Sequence, residues 1–219
     1  MSNRSEYDTQ LKNLNISVQN MGTLVTGAVE DAISALEKKD VSRAAEIIKG
    51  DEDVDREERA IEHVCLTLLL RQQPVASDLR QVSAALKMVT DLERLGDHAA
   101  DIAEIIPRLS ASEIHLEPGI PEMARTALEM VRTAIRAFVD HDTALADQVV
   151  GMDDQVDCAF DTVKRRLAKD MAGGEAAQDA AIDQLMIAKY AERIGDHAVN
   201  LAQWVKFCET GFYHDERIV

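Results

Sequence analysis

The segment Glu93-Arg-Leu-Gly-Asp-His-Ala99 occurs a second time as Glu192-Arg-Ile-Gly-Asp-His-Ala198, with Ile in place of Leu as the one difference. Both copies lie in long runs whose apolar residues return every three or four positions, which is the period of an amphipathic helix. Two near-identical helical segments in one chain indicate an internal duplication.

The duplication extends outward into the two helices that precede each copy. Aligning Asp40 with Asp142 places Asp51 on Asp153 and continues the match of apolar positions on both sides. Asp40 and Asp142 each stand between two helical runs, where an aspartate is suited to the N-cap of the second helix. The sequence therefore predicts an all-α fold, built as a tandem duplication of an antiparallel three-helix bundle with six helices.

Breakers divide the chain at the ends of the predicted helices. Arg71-Gln-Gln-Pro74 and Gly173-Gly174 each precede the third helix of a repeat, and the third helix of the first repeat is expected to end near Pro107. The stretch 109–121 holds two prolines, a glycine and two serines. We predict a first bundle over 1–110, a linker over 111–121 and a second bundle over 122–219.

Composition excludes several classes of protein. The 219 residues carry a formal net charge of -16 and no basic patch, so nucleic acid is not an expected partner. The three cysteines show no paired spacing, as is usual for reduced thiols in the cytosol. No apolar run is long enough to span a bilayer or to act as a secretion signal. We expect a cytoplasmic protein that reaches membranes only through its partners.

Acidic residues recur four positions apart on the second and third helices of each repeat. Residues with this spacing share one helix face, and two antiparallel helices in register would bring two such pairs together. The pairs are Asp51 with Asp55 and Glu93 with Asp97 in the first repeat, and Asp153 with Asp157 and Glu192 with Asp196 in the second.

Four converging carboxylates repel one another unless protons or cations neutralise them. All-oxygen ligation suits iron, manganese, magnesium or calcium, and the absence of thiolates makes a structural zinc site less natural. Acidic pairs also occur as solvated charges on exposed helices, but two facing pairs at duplicated positions favour a cation site. Asp101 extends the first set where the second has Asn200, so the two sites are expected to differ.

Glycine stands inside both repeated motifs, as Gly96 and Gly195, although it costs a helix roughly 1 kcal/mol relative to alanine. Close approach of a neighbouring helix or a ligand would account for it, and so would ordinary packing. The motifs also carry residues that we expect to support the ligands, namely Arg94, Arg193, His98 and His197.

These features together resemble the PhoU family of bacterial phosphate-uptake regulators over nearly the whole chain. The resemblance rests on the duplicated Glu-x-x-x-Asp motifs, the two-bundle layout and the segment Arg71-Gln-Gln-Pro-Val-Ala-Ser-Asp-Leu-Arg80. It implies a non-enzymatic adaptor, often a homodimer, between the phosphate-specific ABC transporter and the sensor histidine kinase of the phosphate system. Such adaptors restrain uptake and keep phosphate-starvation genes off when phosphate is plentiful.

The resemblance also implies metal sites on the bundle surfaces, with the ion left open among iron, manganese, magnesium, calcium and zinc. Its ligands would be Asp51, Asp55, Glu93, Asp97 and Asp101 in the first site, and Asp153, Asp157, Glu192, Asp196 and the weaker donor Asn200 in the second.

Two enzyme classes and one metal-free class remain as alternatives. A di-iron oxidase of the ferritin type would need Glu-x-x-His pairs on its bundle helices, and no duplicated pair of that kind occurs. A metal-dependent phosphohydrolase has only His141-Asp142 to support it, without partner histidines at matching positions. A purely structural adaptor would use the acidic faces for docking basic partners.

Overall fold

The computed structural model describes residues 3–71, 76–111, 114–171, 175–214 and 216–218, and it confirms the predicted all-α duplication. Within these ranges the chain forms six α-helices, followed by a short hairpin. They are α1 (Asn3–Lys38), α2 (Val41–Arg71), α3 (Ala76–Ala111), α4 (Gly119–Asp140), α5 (Thr143–Asp170) and α6 (Glu175–Thr210), with strands β1 (Phe212–Tyr213) and β2 (Glu216–Arg217).

The turn between the first two helices is the same in both repeats. Lys39 and His141 adopt the left-handed conformation, with φ of 53° and 54°. The next residue, Asp40 or Asp142, then donates its backbone N–H to an alanine carbonyl of the preceding helix at 2.9 Å in both repeats. A side-chain oxygen of each aspartate accepts a hydrogen bond from the first turn of the following helix, as an N-cap does.

Helices α2 and α5 lie at the outside of the molecule and the other four form its centre. Among the described residues, α2 packs only on α1 and α3, and α5 only on α4 and α6. The antiparallel pairs α1–α4 and α3–α6 join the two repeats. Where α1 packs on α4, a Cβ on Gly22 would lie 2.9 Å from Ile135 Cδ1.

The two repeats share one hydrophobic core. A single cluster of buried side chains draws residues from all six helices, and a second, small cluster of Ala84, Phe207 and Cys208 lies beside it. Burial of apolar surface is the dominant stabilising term in folding. The relative placement of the repeats is therefore part of the fold itself.

Two helix boundaries differ from the sequence-based expectation. Helix α3 continues through Pro107 to Ala111, because Leu109 is buried and Arg108 holds Asp183 of α6. Helix α4 begins at Gly119, before Pro121, whose missing N–H is not needed in the first turn of a helix. The predicted breakers at 72–74 and 173–174 lie outside the described residues.

The hairpin after α6 was not expected from the sequence. The ring of Tyr213 stacks on Trp204 with centroids 4.1 Å apart, which fixes β1 against α6. Within the described ranges, no helix combines the length and apolar content needed to cross a bilayer.

Candidate metal centre

The first carboxylate cluster lies where α2 packs against α3, at the middle of both helices. Asp51 and Asp55 come from α2, and Glu93 and Asp97 come from α3. Residues four apart repeat roughly every turn, so each helix presents its pair on the face that meets the other helix. The buried residues between them, such as Val54 and Leu95, hold the two helices together.

Burial and mutual repulsion raise the pKa of two carboxyl groups in this cluster. Burial raises the pKa of Asp51 to about 6, and the charges of Asp97, Asp55 and Asp101 act in the same direction. Burial likewise raises the pKa of Glu93 to about 7, with Asp97 as the next largest cause. Both shifts follow from negative charges that lie close together in a partly desolvated place.

Gly96 allows this close approach of α2 and α3. A Cβ at this position would lie 3.0 Å from Val54 Cγ1 and 3.1 Å from Asp51 Oδ1. The Asp51 carboxylate therefore rests directly over the glycine, on the side of α3 that also carries the acidic motif. Of the explanations that the sequence left open for this glycine, the close approach of a neighbouring helix agrees with these contacts.

Arginine side chains neutralise part of the first cluster. Arg94 Nη1 lies 2.9 Å from Asp97 Oδ2, and Arg94 Nε lies 3.4 Å from Glu93 Oε2. On the facing helix, Arg59 Nη1 lies 3.4 Å from Asp55 Oδ2. Arg94 thus ties down two of the predicted ligands, as its place in the repeated motif suggested.

The second cluster has the same layout between α5 and α6. Burial raises the pKa of Asp153, and the charges of Asp157 and Asp196 add to the shift. Lys189 forms an ion pair with Glu192, three residues along α6. The packing is looser here, since a Cβ on Gly195 would meet Val156 Cγ1 at 3.4 Å, an ordinary contact.

The predicted fifth member of each set contacts a residue outside its carboxylate cluster. Asp101 Oδ2 lies 3.2 Å from His98 Nδ1, although its charge still contributes to the raised pKa of Asp51. The amide nitrogen of Asn200 donates to Asp91 Oδ1 at 3.1 Å. His197 Nδ1 lies 2.8 Å from the same oxygen, and the rings of His98 and His197 are 5.5 Å apart.

The histidines of the two motifs therefore contribute to the junction between the repeats. His98 is buried, and its Nε2 has no hydrogen-bond partner among the described residues. The sequence predicted a supporting role for these histidines, but it did not identify Asp91 as the partner of His197 or Asp101 as the partner of His98.

The sequence did not lead us to one acidic residue near the first cluster. Glu58 lies on α2, three residues beyond Asp55, and its charge contributes to the raised pKa of Glu93. The i+3 spacing from Asp55 was the signal that could have found it. The equivalent position in the second repeat is Phe160, whose ring lies 5.3 Å from the amines of Lys164 and Lys189.

The chemistry of the donor set fits a hard cation. Each cluster offers carboxylate oxygens, and their repulsion is the kind that a bound cation relieves. Within the described ranges, however, no three acidic, histidine or cysteine side chains are arranged to hold a metal ion. Some of the carboxylates pair with cationic side chains instead: Glu93 and Asp97 with Arg94, Asp55 with Arg59, and Glu192 with Lys189. The metal centre stays a prediction.

A groove of about 340 Å³ runs between α1 and α2 and reaches the first cluster. Its walls include Leu24, Ile47 and Val54, and it ends at Asp51 and Gly96. A surface that could receive another molecule thus begins where the candidate ligands lie.

Comparison with known proteins agrees with this architecture. The PhoU domain model matches the chain twice, over residues 18–106 and 120–205. A relative from Clostridium acetobutylicum, described as a phosphate-specific transport system accessory protein PhoU homolog, is 34% identical over 95% of this chain and 96% of its own length. The chain belongs to the PhoU family.

Two solved PhoU structures show the same fold. The crystal structure of PhoU from Pseudomonas aeruginosa matches with a TM-score of 0.89 and 32% identity, covering 94% of this chain and all of that one. The phosphate transport system regulatory protein PhoU from Streptococcus pneumoniae matches with a TM-score of 0.89 and 30% identity, covering 96% of this chain and 100% of that one. The two PhoU matches in the chain correspond to α1–α3 and α4–α6.

Proposed function

We propose that this chain is an accessory regulator of phosphate transport. It acts as a cytoplasmic, non-enzymatic adaptor, and as a homodimer, between the phosphate-specific ABC transporter and its sensor histidine kinase. The observation that carries the proposal is similarity over nearly the whole length to relatives described as phosphate-specific transport system accessory proteins. In this role it restrains uptake and the phosphate-starvation genes when phosphate is plentiful.

The carboxylate clusters supply the regulated part of this proposal. Asp51, Asp55, Glu93 and Asp97 would hold a metal in the first bundle, with Asp101 joining if it leaves His98. Asp153, Asp157, Glu192 and Asp196 would do so in the second, with Asn200 as a weaker donor. The ion would supply positive charge that fixes the spacing of the two helices in each bundle, and the arginines and lysine now bound to the carboxylates would be released to the surface.

The groove beside Asp51 provides a way for metal binding to affect the surface that partner proteins contact. A change in the spacing of α2 and α3 alters the end of the α1–α2 groove, because Asp51, Val54 and Gly96 belong to both. Partner proteins that bind this surface would then respond to the presence of metal without contacting the metal ion.

Elemental analysis tests metal binding. Untagged protein purified without chelator is compared with a variant in which Glu93, Asp97, Glu192 and Asp196 are alanine. We expect at least about one equivalent of iron, manganese or another hard ion in the wild type and its loss in the variant. A control variant removes four exposed carboxylates elsewhere and should keep the metal; these are Glu6, Glu122, Glu129 and Asp140.

Complementation tests the regulatory role. A strain that lacks this gene receives the wild type, the quadruple alanine variant or the control variant, and a phosphate-starvation reporter is measured in high phosphate. We expect repression by the wild type and the control, and derepression with the metal-free variant. Full repression by a variant that holds no metal would overturn the metal-dependent part of the proposal, and failure of the wild type would overturn the regulatory role.

A further inference from the structure

The groove between α1 and α2 of the first repeat is lined by two glycines, Gly27 from α1 and Gly50 from α2. A Cβ built on either glycine would meet no neighbouring atom of the described residues within 4 Å. Neither glycine has a positive φ, so the backbone conformation does not require it. Glycine is also a weak helix former. The contacts within the folded chain therefore give no reason for either glycine.

The second repeat carries longer side chains at the same two positions. With Asp40 aligned on Asp142, Gly27 corresponds to Glu129 and Gly50 to Met152. The Met152 side chain is half-buried and packs against the hydrophobic core. The same bundle therefore folds with a long side chain at either position, and the glycines of the first repeat keep its groove open.

The shape of the groove suits an α-helix. The groove follows α1 over 23–31 and α2 over 43–54, which is about two to three helical turns. The sides of two helices offer no free backbone groups, so an extended segment would find no hydrogen-bond partners there. A helix satisfies its own backbone, and small residues in the walls let its axis approach closely. Its apolar side chains would cover Leu24, which is 40% exposed in the wall.

The charges of the groove favour a basic occupant. Three carboxylates line it, from Asp31, Glu46 and Asp51, and Arg43 is the cation among its described lining residues. Arg43 is already engaged, because its Nη2 lies 2.5 Å from Asp31 Oδ2 and its Nη1 lies 2.5 Å from Glu46 Oε2. At the end of the groove, Asp51 forms no ion pair with the described residues and is repelled by Asp97. A lysine or arginine from outside would offset this excess of negative charge.

We infer that this groove binds an amphipathic helix of a partner protein, with apolar side chains against the two glycines and lysine or arginine side chains against Asp31, Glu46 and Asp51. The inference rests on the proposed function, because it names the kind of partner segment that the adaptor accepts at the groove beside its first carboxylate cluster. The second repeat fills the equivalent positions, so one chain binds one such helix.

Fluorescence anisotropy with a designed peptide tests this site on the full chain in the presence of chelator. The probe is a fluorescein-labelled peptide of about 18 residues, in which leucines recur at i, i+3, i+4 and i+7 among lysines and alanines. We expect one peptide per chain with a Kd of about 100 μM or tighter. A peptide of scrambled order, and one with glutamate in place of lysine, should each bind at least about tenfold more weakly.

Filling the groove should remove most of this binding. The variant with Gly27→Met and Gly50→Met places long side chains where the peptide would lie, and we expect the Kd to rise by about tenfold or more. The matched control Gly151→Met changes an equally open glycine on α5 and should keep the Kd within about twofold of the wild type. Methionine is a better helix former than glycine, and circular dichroism of each variant establishes that the helices are retained.

Neutralising the groove should reverse its preference. Asp31→Asn with Glu46→Gln leaves Arg43 without its carboxylate partners, so we expect the lysine peptide to bind about tenfold more weakly and the glutamate peptide to bind more tightly than to the wild type. Glu52→Gln with Glu57→Gln removes the same charge from exposed positions of α2 outside the groove, and should change the Kd by less than about threefold.

Four results would overturn the inference. A wild type that does not bind the lysine peptide at about 1 mM has no site for a helix of this kind. Unchanged binding by the filled variant would place the peptide elsewhere, and equal losses in the two neutralised variants would reduce the effect to overall charge. Preference of the wild type for the glutamate peptide would give the groove to an acidic partner. The assay contains no metal, phosphate, transporter or kinase, so the regulatory role measured by complementation stands or fails separately.

Discussion

Gly96 and Gly195 occupy equivalent positions in the two repeats but meet different neighbours. At Gly96 a Cβ would approach both Val54 and Asp51 within 3.1 Å, whereas at Gly195 the nearest atom is 3.4 Å away. Glycine is a weak helix former in either place. Only the first glycine is therefore required by the packing of the carboxylate helices.

Alanine at these two positions should have different effects on stability. Gly195→Ala gains helix propensity, and we expect the free energy of unfolding to rise by about 0.5 to 1 kcal/mol. Gly96→Ala gains the same propensity but overpacks against Val54 and Asp51, so it should be about 1 to 3 kcal/mol less stable than Gly195→Ala. Urea unfolding in the presence of chelator measures both, and equal gains would contradict the packing argument.

The raised pKa values in the first cluster predict a pH dependence of the metal-free protein. Asp51 and Glu93 have ordinary pKa values of 3.8 and 4.5, which rise in the folded chain to about 6 and about 7. The folded state thus binds these protons more tightly than the unfolded chain. Their contribution to stability is complete below about pH 4 and is lost as the pH rises through 6 and 7.

Urea unfolding of chelator-treated protein across this range tests the direction of the effect. The variant with Asp51→Asn and Glu93→Gln carries no titrating group at either position, so its stability should fall less between about pH 5 and pH 7.5 than that of the wild type. Parallel curves for the two proteins would show that these carboxyls are not the source of the dependence.

At the scale of the helix, side-chain hydrogen bonds fix ends and crossings. Asp142 begins α5 by accepting hydrogen bonds from the N–H groups of Ala144 and Leu145 at 2.8 and 3.2 Å. Asp91 joins α3 to α6 by meeting His197 and Asn200. Both aspartates act through specific hydrogen bonds, which an exposed aspartate nearby on the same helix does not form.

Removal of the N-cap should destabilise the second repeat. We expect Asp142→Ala to lower the free energy of unfolding by about 1 kcal/mol, because two N–H groups at the start of α5 lose their acceptor. Asp140→Ala, two residues earlier and exposed at the end of α4, should change it by less than about 0.5 kcal/mol. Thermal unfolding of both variants makes the comparison, and equal effects would argue against the cap.

Removal of Asp91 should weaken the junction of the repeats. Asp91→Ala leaves the His197 ring and the Asn200 amide without their shared acceptor in a mostly buried place, and we expect a loss of about 1 to 3 kcal/mol. Asp161→Ala breaks only the exposed pair with Lys164, so it should have an effect below about 1 kcal/mol. Denaturant unfolding at one pH separates the two cases.

At the scale of the whole molecule, the two sequence repeats pack around one common hydrophobic core. The buried cluster runs through all six helices, and both α1–α4 and α3–α6 cross the boundary between the repeats. Residues such as Val25 and Leu92 are fully or almost fully buried in the intact chain. A chain whose parts share one continuous core usually unfolds in a single cooperative transition.

Separated repeats should therefore be less stable than the intact chain. We expect the full chain to unfold in one calorimetric transition, and a fragment of residues 1–111 to show a lower midpoint because its α1 and α3 faces are exposed to water. Two transitions in the full chain, the first matching that of the fragment, would show that the repeats fold independently.

Much of the site could be read from spacing, because i and i+4 residues must share a helix face. That rule located Asp51, Asp55, Glu93 and Asp97 on adjoining helices. The place of Arg94 in the repeated motif suggested that it supports their carboxylates. The spacing rule could not find Asp91 or its contact with Asn200, because that contact depends on how α3 crosses α6. The contact of Asp101 with His98 is local to α3, but the acidic spacing alone did not indicate it. Pro107 was likewise misread as the end of α3, since burial of Leu109 outweighs the local effect of proline.

The sequence by itself determined the helices, their duplication and the acidic faces, because these depend on periodicity and on residues near one another in the chain. The tertiary structure decided the common core, the role of Gly96 and the junction of His98, His197 and Asp91, because these depend on atoms from distant helices that meet only after folding. A repeat fixes positions through the backbone, but the side chains that diverge after duplication determine what each position contacts.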